Sequence, residues 1–217
     1  GLVGAEMWIR ARSNAVQQGD ASLSPEKNSA FKIGTRYRQT GFSAVLSGFY
    51  THGKDMIDWV QTTETELTDS KYHVMNIGKL DNMGFNVDAE IYMNELLPRC
   101  FVTNIRLGYA YINQSHETET EILKSLYALE YLRHKAVFGL DHKIWSKLSA
   151  SWSVRWQQRM NGYHPYTKVD CKVMWNARKY SVYVKADNIT CHRYYDLSAV
   201  KQPGLWVMAG VSVNLGW

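Results

Sequence analysis

Long apolar runs are missing from this chain. No stretch approaches the roughly 18 residues that a membrane helix needs, and with a mean hydropathy of -0.36 the chain would be grouped with soluble proteins on that measure alone. The absence excludes helical spans and nothing more, because a membrane β-strand turns only every second residue to lipid. Cysteine is scarce as well: Cys100, Cys171 and Cys191 lie far apart with no ligand spacing, so no disulfide framework is expected. Nor is charge of one sign concentrated anywhere. The 25 Lys and Arg against 20 Asp and Glu leave a net +5. Arg36, Arg38, Arg155, Arg159 and Lys172 fall singly on alternate positions rather than in a patch, which argues against nucleic acid as a partner. The start, Gly1-Leu2-Val3-Gly4, is neither basic nor a long apolar run, so no signal peptide is read there.

Aromatic residues are abundant instead, with eight Trp and 14 Tyr, and aromatic girdles mark both interfaces of membrane barrels. The last stretch, Leu205 to Trp217, shows the underlying design. Leu205, Val207, Ala209, Val211, Val213, Leu215 and Trp217 are apolar, while Gly210, Ser212, Asn214 and Gly216 between them are small or polar. Trp206 and Met208 are the two exceptions. Strand side chains alternate between faces, so this is a ribbon with one greasy side, long enough to span a bilayer when tilted.

The same alternation recurs upstream. It runs through Phe31–Tyr37, Phe42–Tyr50, Phe85–Met93, Phe101–Tyr111, Ala136–Ile144, Leu148–Trp156, Val169–Trp175 and Tyr180–Ala186, which with the last stretch predicts nine strands. A segment around residues 5–12 is a tenth candidate. Short turns are expected at Thr40-Gly41, Asn94–Pro98, Ser146-Lys147 and Arg178-Lys179. Long polar segments are expected at 52–82, 113–131 and 188–204, with a loop at 161–166. Met56–Val60 is an apolar patch within the first of these, read as prolonging a strand beyond the membrane. Connections that alternate short and long are those of an outer-membrane barrel, with turns on the periplasmic side and loops outside. A soluble sandwich predicts mixed lengths at both ends.

The polar face carries Asp88, Glu90, Arg106, Asp141, Arg155, Lys172 and Asp187 in mid-strand. Buried unpaired in a small core, each would cost several kcal/mol; a wide wet lumen holds them without that penalty. These seven are the lumen-facing candidates, together with Ser151 and Asn214. Lipid-facing candidates are Ala89, Ile91, Trp152, Val154, Val173, Val207, Val211, Val213 and Leu215.

Four stretches resemble those of a known family in its order. Gly19–Lys27 is similar to a G-N-P-x-L-x-P-E motif before a barrel strand. Asn76-Ile77-Gly78-Lys79 with Gly84–Ala89 resembles an N-x-G-x motif followed by G-x-E-x-E/A. Asp187-Asn188-Ile189-Thr190 with Tyr194-Tyr195-Asp196 resembles N-L-x-(n)-x-x-Y-Y-D, and Gln202-Pro203-Gly204 leads into the last strand. The family is that of the TonB-dependent outer-membrane receptors, at the C-terminal end of their barrel. The resemblance implies an all-β, antiparallel transmembrane barrel segment of nine to ten strands within a larger 22-stranded barrel. Residues 1–28 would be a strand stub and extracellular loop, and 29–217 the C-terminal part of the barrel. The plug domain, the TonB-contacting segment and the leader are not recognised here and are expected in a longer protein.

The implied function is uptake of a scarce nutrient, cobalamin or a metal chelate, across the outer membrane of a Gram-negative cell. The wording of Asp55–Val60 leans toward the cobalamin branch. Extracellular ligand candidates are Trp59, His116, Tyr163, His164, Tyr194 and Tyr195. Trp217 is the barrel terminus, expected at the periplasmic interface and read by the assembly machinery. Expected partners are outer-membrane lipid, the TonB system through the plug, the nutrient itself and a surface lipoprotein.

The alternative is a complete small barrel acting as a passive pore or a membrane-embedded hydrolase. Catalytic sets are lacking, however. Asp141 and His142 are neighbours and point to opposite faces of a strand. His164 reads as a loop residue, and the serine stripe Ser149, Ser151, Ser153 needs no catalytic explanation. Cys191-His192 has no second pair at metal-ligand spacing, and the run Glu117, Glu119, Glu121 reads as a solvated acidic loop. No enzyme activity, metal or cofactor is expected.

Overall fold

Alternation of side chains becomes strand pairing in sequence order. The computed structural model describes residues 17–18, 20, 22–63, 67, 71–118, 121–125, 131–160, 164–195 and 201–213. Its strands are β1 (Gln17–Gln18), β2 (Lys27–Gln39), β3 (Phe42–Lys54), β4 (Ile57–Thr62), β5 (Tyr72–Asn76), β6 (Lys79–Tyr92), β7 (Val102–Glu117), β8 (Ile122–Ser125), β9 (Leu132–Trp145), β10 (Leu148–Arg159), β11 (Tyr166–Asn176), β12 (Tyr180–Asp187) and β13 (Trp206–Val213). One helical turn, α1 (Met93–Leu96), follows β6. The nine alternating stretches form one nine-stranded sheet in the order β13-β12-β11-β10-β9-β7-β6-β3-β2. Among the described residues β13 and β2 are its two edges. The 5–12 segment, Tyr163, Asn214, Leu215 and Trp217 lie outside the described residues.

The chain divides into two units. The first comprises Gly1–Ile33, Gly48–Gly84 and Ile112–Tyr131; the second comprises Gly34–Ser47, Phe85–Tyr111 and Leu132–Trp217.

The first unit holds what the sequence shows as long polar segments, and here expectation and structure differ. Met56–Val60 does not prolong β3. Asp55 takes a left-handed conformation (φ 55°), which breaks the strand and starts β4 in a separate four-stranded sheet, β1-β5-β4-β8. His116 lies on β7 rather than in a loop, because that strand runs on to Glu117. Buried Leu23, Val60, Val74, Ile77 and Leu80 form the unit's small core. Polar residues are buried beside them. Asp58, 1% exposed, accepts a hydrogen bond from the Ser125 hydroxyl of β8 and another from the Trp59 amide at 2.7 Å.

Two motif stretches meet in this unit. The Ser24 amide donates to Asn76 Oδ1 at 2.9 Å; Asn76 Nδ2 donates back to the Ser24 carbonyl at 3.0 Å and to the Asp55 carbonyl at 2.6 Å. The Ile57 amide donates to Glu26 Oε1 at 2.6 Å. Gly78 turns the chain into β6 with φ 85°. A Cβ there would collide with the Glu117 carbonyl oxygen, so only glycine fits.

The second unit is antiparallel sheet joined by short connections: the Thr40-Gly41 turn, α1, Ser146-Lys147 and 177–179. Its strand register is regular from β10 to β13, while β9 and β10 pair with shifts at Leu148/Ser149 and Gln158/Arg159. Ser151, for instance, faces Asp141 on one side and Lys172 on the other.

Candidate functional site

The polar face of the second unit collects the charged residues that the alternation singles out. Register places Asp141, Ser151, Lys172 and Lys185 in one row across β9, β10, β11 and β12. Arg155 lies opposite Lys168, and Asp187 opposite Trp206. From β7, Arg106 Nη1 reaches Asp141 Oδ2 at 2.8 Å. Glu90 accepts hydrogen bonds from Asn104 Nδ2 at 2.6 Å and from the Tyr92 hydroxyl at 2.8 Å. Asp88 lies beside Gly108 on the same face. The structure thus brings all seven polar-face candidates onto one side of the sheet. Two further ion pairs lie along single strands, Lys168 with Asp170 at 3.2 Å and Lys185 with Asp187 at 2.9 Å. The Lys172 ammonium stands 4.6 Å above the Tyr183 ring, and that ring lies flat across Gly210, where any Cβ would collide with it.

The opposite face is apolar and banded by aromatic rings. Toward the long connections, His134 is central: it shares a 2.8 Å hydrogen bond with the Tyr109 hydroxyl. Tyr111 lies 5.0 Å and Trp156 6.1 Å from its ring, and Phe85 packs on Tyr111 at 5.8 Å. Toward the short turns, Phe101 meets His142 edge-on at 6.3 Å, and Trp175 and Tyr180 are exposed. Trp152 Nε1 donates to His142 Nε2 at 3.2 Å, pairing those two polar atoms within the band. From His134 to His142 is about 27 Å of strand at roughly 3.4 Å per residue. That is close to the roughly 25 Å apolar band of a membrane barrel, flanked as here by aromatic rings. Ala89, Ile91, Trp152, Val154, Val173, Val207, Val211 and Val213 belong to this face by alternation and register. Asp141 and His142 do point to opposite faces, one to Arg106 and the other to Trp152.

The ligand candidates in the connections fall into different units. Trp59 is half-buried on β4 and His116 exposed on β7, both in the first unit; His164, Tyr194 and Tyr195 belong to the second. Tyr194 stacks on buried Tyr166 at 4.3 Å, with His192 against the same ring at 6.4 Å. Tyr195 pairs with Lys201 across the base of its loop. Asn188 organises this region. It is 1% exposed and left-handed (φ 54°). Its amide donates to Asp170 Oδ1 at 2.7 Å, its Nδ2 to the His192 and Pro203 carbonyls at 2.9 and 3.3 Å, and its Oδ1 accepts from the His192 amide at 3.1 Å.

One cluster in the first unit escapes sequence reading. Tyr50 and His52, two apart on β3, both bond Asp81 Oδ1 of β6 at 2.7 Å. The Tyr50 hydrogen bond, and then that of His52, holds the Asp81 carboxyl below the usual range. Beside it, the Glu117 carboxylate, 2.8 Å from Lys79 Nζ, raises the Lys79 ammonium. The only sequence signal is the period-two spacing of Tyr50 and His52; their partner lies on a strand 29 residues further on.

Known proteins share this architecture. The copper transporter OprC superposes with a TM-score of 0.68 at 15% identity, over 89% of this chain and 32% of its own. The FrpB iron transporter from Neisseria meningitidis (F3-3 variant) gives 0.66 at 16%, over 90% and 31%. The siderophore receptor PirA from Pseudomonas aeruginosa gives 0.61 at 16%, over 91% and 31%. The chain spans about a third of the length of these proteins, and at such identity the likeness is one of fold. The family described as TonB dependent receptor-like, beta-barrel matches residues 5–189. Its members are outer-membrane proteins of Gram-negative cells, transporters and not enzymes. With most of its length matched, and with a sheet of this order and these two faces, the chain belongs to the TonB-dependent receptor β-barrel family and to the Gram-negative outer membrane.

Proposed function

We propose that these strands form part of the wall of a transporter that imports a scarce nutrient, a metal chelate, with energy from TonB delivered through a plug domain elsewhere in the full-length protein. One observation carries this reading: charged side chains of both signs occupy mid-strand positions on one face, opposite a face of apolar residues between two aromatic bands. A face of that kind is stable against water and the other against lipid, as in the wall of a wide barrel. On this reading Asp88, Glu90, Arg106, Asp141, Arg155, Lys172 and Asp187 line the lumen. Trp59, His116, Tyr163, His164, Tyr194 and Tyr195 serve the ligand on the extracellular side, where a surface lipoprotein is an accessory partner. Trp217 ends the barrel at the periplasmic interface. The names of the similar structures, transporters and receptors for copper, iron and siderophores, support a chelate. Cobalamin is the second reading, favoured by the wording of Asp55–Val60.

The test is uptake by cells carrying the full-length protein, with and without an active TonB system. Radioactive iron presented as chelates, and labelled cobalamin, are the probes. TonB-dependent accumulation of one of them is expected. Equal accumulation with the gene deleted overturns the proposal.

A further inference from the structure

Charge is divided unevenly between the two kinds of connection. The four short ones, Thr40-Gly41, 93–101, Ser146-Lys147 and 177–179, hold five charged residues, and four of these, Arg99, Lys147, Arg178 and Lys179, are basic. The long segments 52–82 and 113–131 have the opposite balance, ten acids against four lysines. Glu95 is the one acid of the short connections. Its Oε2 accepts from the Gly41 amide at 2.8 Å, in the neighbouring turn on the side away from Lys147. The four basic residues are exposed, and among the described residues none of them has an acidic partner.

Sheet order sets the three basic connections in a row. They join β6 to β7, β9 to β10 and β11 to β12, all within one sheet, so neighbouring turns stand two strand spacings apart, about 10 Å. That is close to the Debye length of about 8 Å at physiological salt, so their fields overlap along the row. Each of these six strands has a sheet neighbour on both sides; further strands pairing at β2 or β13 extend the row without covering it. Apolar side chains are interspersed with the cations. Leu97 and Phe101 flank Arg99, Tyr180 follows Lys179, and Trp145, 80% exposed, stands two residues before Lys147. Such a mixture suits the interface of a bilayer, where rings sit at headgroup level and long basic side chains reach the phosphates.

We infer that the short-turn rim of the sheet binds the headgroups of anionic phospholipids, with Arg99, Lys147, Arg178 and Lys179 at their phosphates and Trp145 and Phe101 in the interfacial layer. A zwitterionic headgroup offers the same phosphate but cancels it with its own ammonium, so a row of unpaired cations favours the lipid with net negative charge. The inference rests on the proposal that these strands form a membrane wall, and not on what is imported.

The experiment uses the full-length protein with a fluorophore on a single cysteine, Ser146→Cys, every other cysteine being replaced by serine. It is set in phosphatidylcholine vesicles in which a minor fraction of the lipid is acyl-brominated, either phosphatidylglycerol or phosphatidylcholine. Bromine quenches only at short range, so the two lipids report the composition beside the turn. A local enrichment of phosphatidylglycerol of about fivefold is expected, the preference that one basic residue gives near an anionic surface. Arg99→Gln, Lys147→Gln, Arg178→Gln and Lys179→Gln together are expected to abolish it, as is salt of about 1 M, where the Debye length falls to about 3 Å. Should the fourfold variant fail to insert, Lys147→Gln alone is expected to reduce the enrichment to about half. Equal quenching by the two lipids in the parent overturns the inference and leaves the transporter reading standing, as does a preference that the variant keeps in full. Slower assembly of the variant in cells with its lipid preference unchanged assigns the turns to an acidic protein partner and also overturns the inference alone. Quenching by neither lipid overturns the membrane-wall reading with it.

Discussion

Ser24 and Asn76, 52 residues apart in the chain, hydrogen-bond each other in both directions, amide to side-chain carbonyl and side-chain amide to carbonyl. A third bond, from Asn76 to the Asp55 carbonyl, fixes the corner where β3 gives way to β4. Asn76→Ala removes all three and leaves the Ser24 amide without its acceptor. A loss of about 1–2 kcal/mol is expected, from net hydrogen bonds of about 0.5–1.5 kcal/mol each, because Ser24 is exposed and water can replace its acceptor. Asn76→Asp keeps the acceptor and loses the donors, and should fall between. Chemical denaturation of the folded protein in detergent measures both; an Asn76→Ala variant as stable as the parent would show that this junction does not hold the first unit.

Gly78 supplies the positive φ that turns the chain into β6, against the Glu117 backbone. Gly78→Ala therefore combines left-handed strain of about 1–2 kcal/mol with a backbone collision that no rotamer relieves. The expected result is a loss larger than that of Asn76→Ala, seen as a lower denaturation midpoint, with protease cutting first near β5 and β6.

How much of this was legible in the sequence follows from the range of the forces involved. All nine strands of the large sheet show as period-two alternation, because a strand between lipid and water must present two chemistries along its own length. Short turns show too, since Thr40-Gly41 and Ser146-Lys147 interrupt that alternation. The junction of Ser24 with Asn76 and the cluster of Tyr50, His52 and Asp81 do not show, because each joins residues distant in the chain. Met56–Val60 misleads for a local reason: as an apolar patch it suits a continued strand, but the break at Asp55 is a backbone conformation that its composition does not announce. His116 misleads because polar composition resembles a loop, whereas β7 continues past the apolar band as a strand in water. Among the site residues, alternation was enough to gather the charged set onto one face. It gave no hint that Arg106 pairs with Asp141 or Lys168 with Asp170.

The two faces predict unequal tolerance of charge. Val211, in register with Val182, lies on the apolar face, and Ser212, in register with Ser181, on the polar one. Val211→Arg is expected to cost about 2–4 kcal/mol near the bilayer midplane, and Ser212→Arg far less. Refolding of the full-length protein into lipid vesicles reads the difference, and equal costs would contradict the assignment of faces.

Acid should loosen the contact of β3 with β6 in the first unit. Asp81 precedes the apolar part of β6, and its carboxyl is held below the usual range, first by the Tyr50 hydrogen bond and then by His52. A group depressed in the folded state contributes stability above its unfolded pKa and loses it as the pH falls through the folded value. The contact is therefore intact at neutral pH and weakens below the ordinary carboxylate range. Hydrogen exchange at residues 50–54, corrected for intrinsic rates, should show that loss of protection, and Asp81→Asn should remove the pH dependence. Acid sensitivity that persists in Asp81→Asn would assign it to another group.

Successive residues of these strands are expected to face water and lipid in turn. Single cysteines at Ser151, Trp152, Ser153 and Val154 of β10, with Cys100, Cys171 and Cys191 replaced by serine, can be spin-labelled in the full-length protein in its membrane. Relaxation by a water-soluble nickel chelate is then compared with relaxation by oxygen, which concentrates in lipid. Nickel access is expected at 151 and 153, and oxygen access at 152 and 154. Equal access to both agents at all four positions would contradict it.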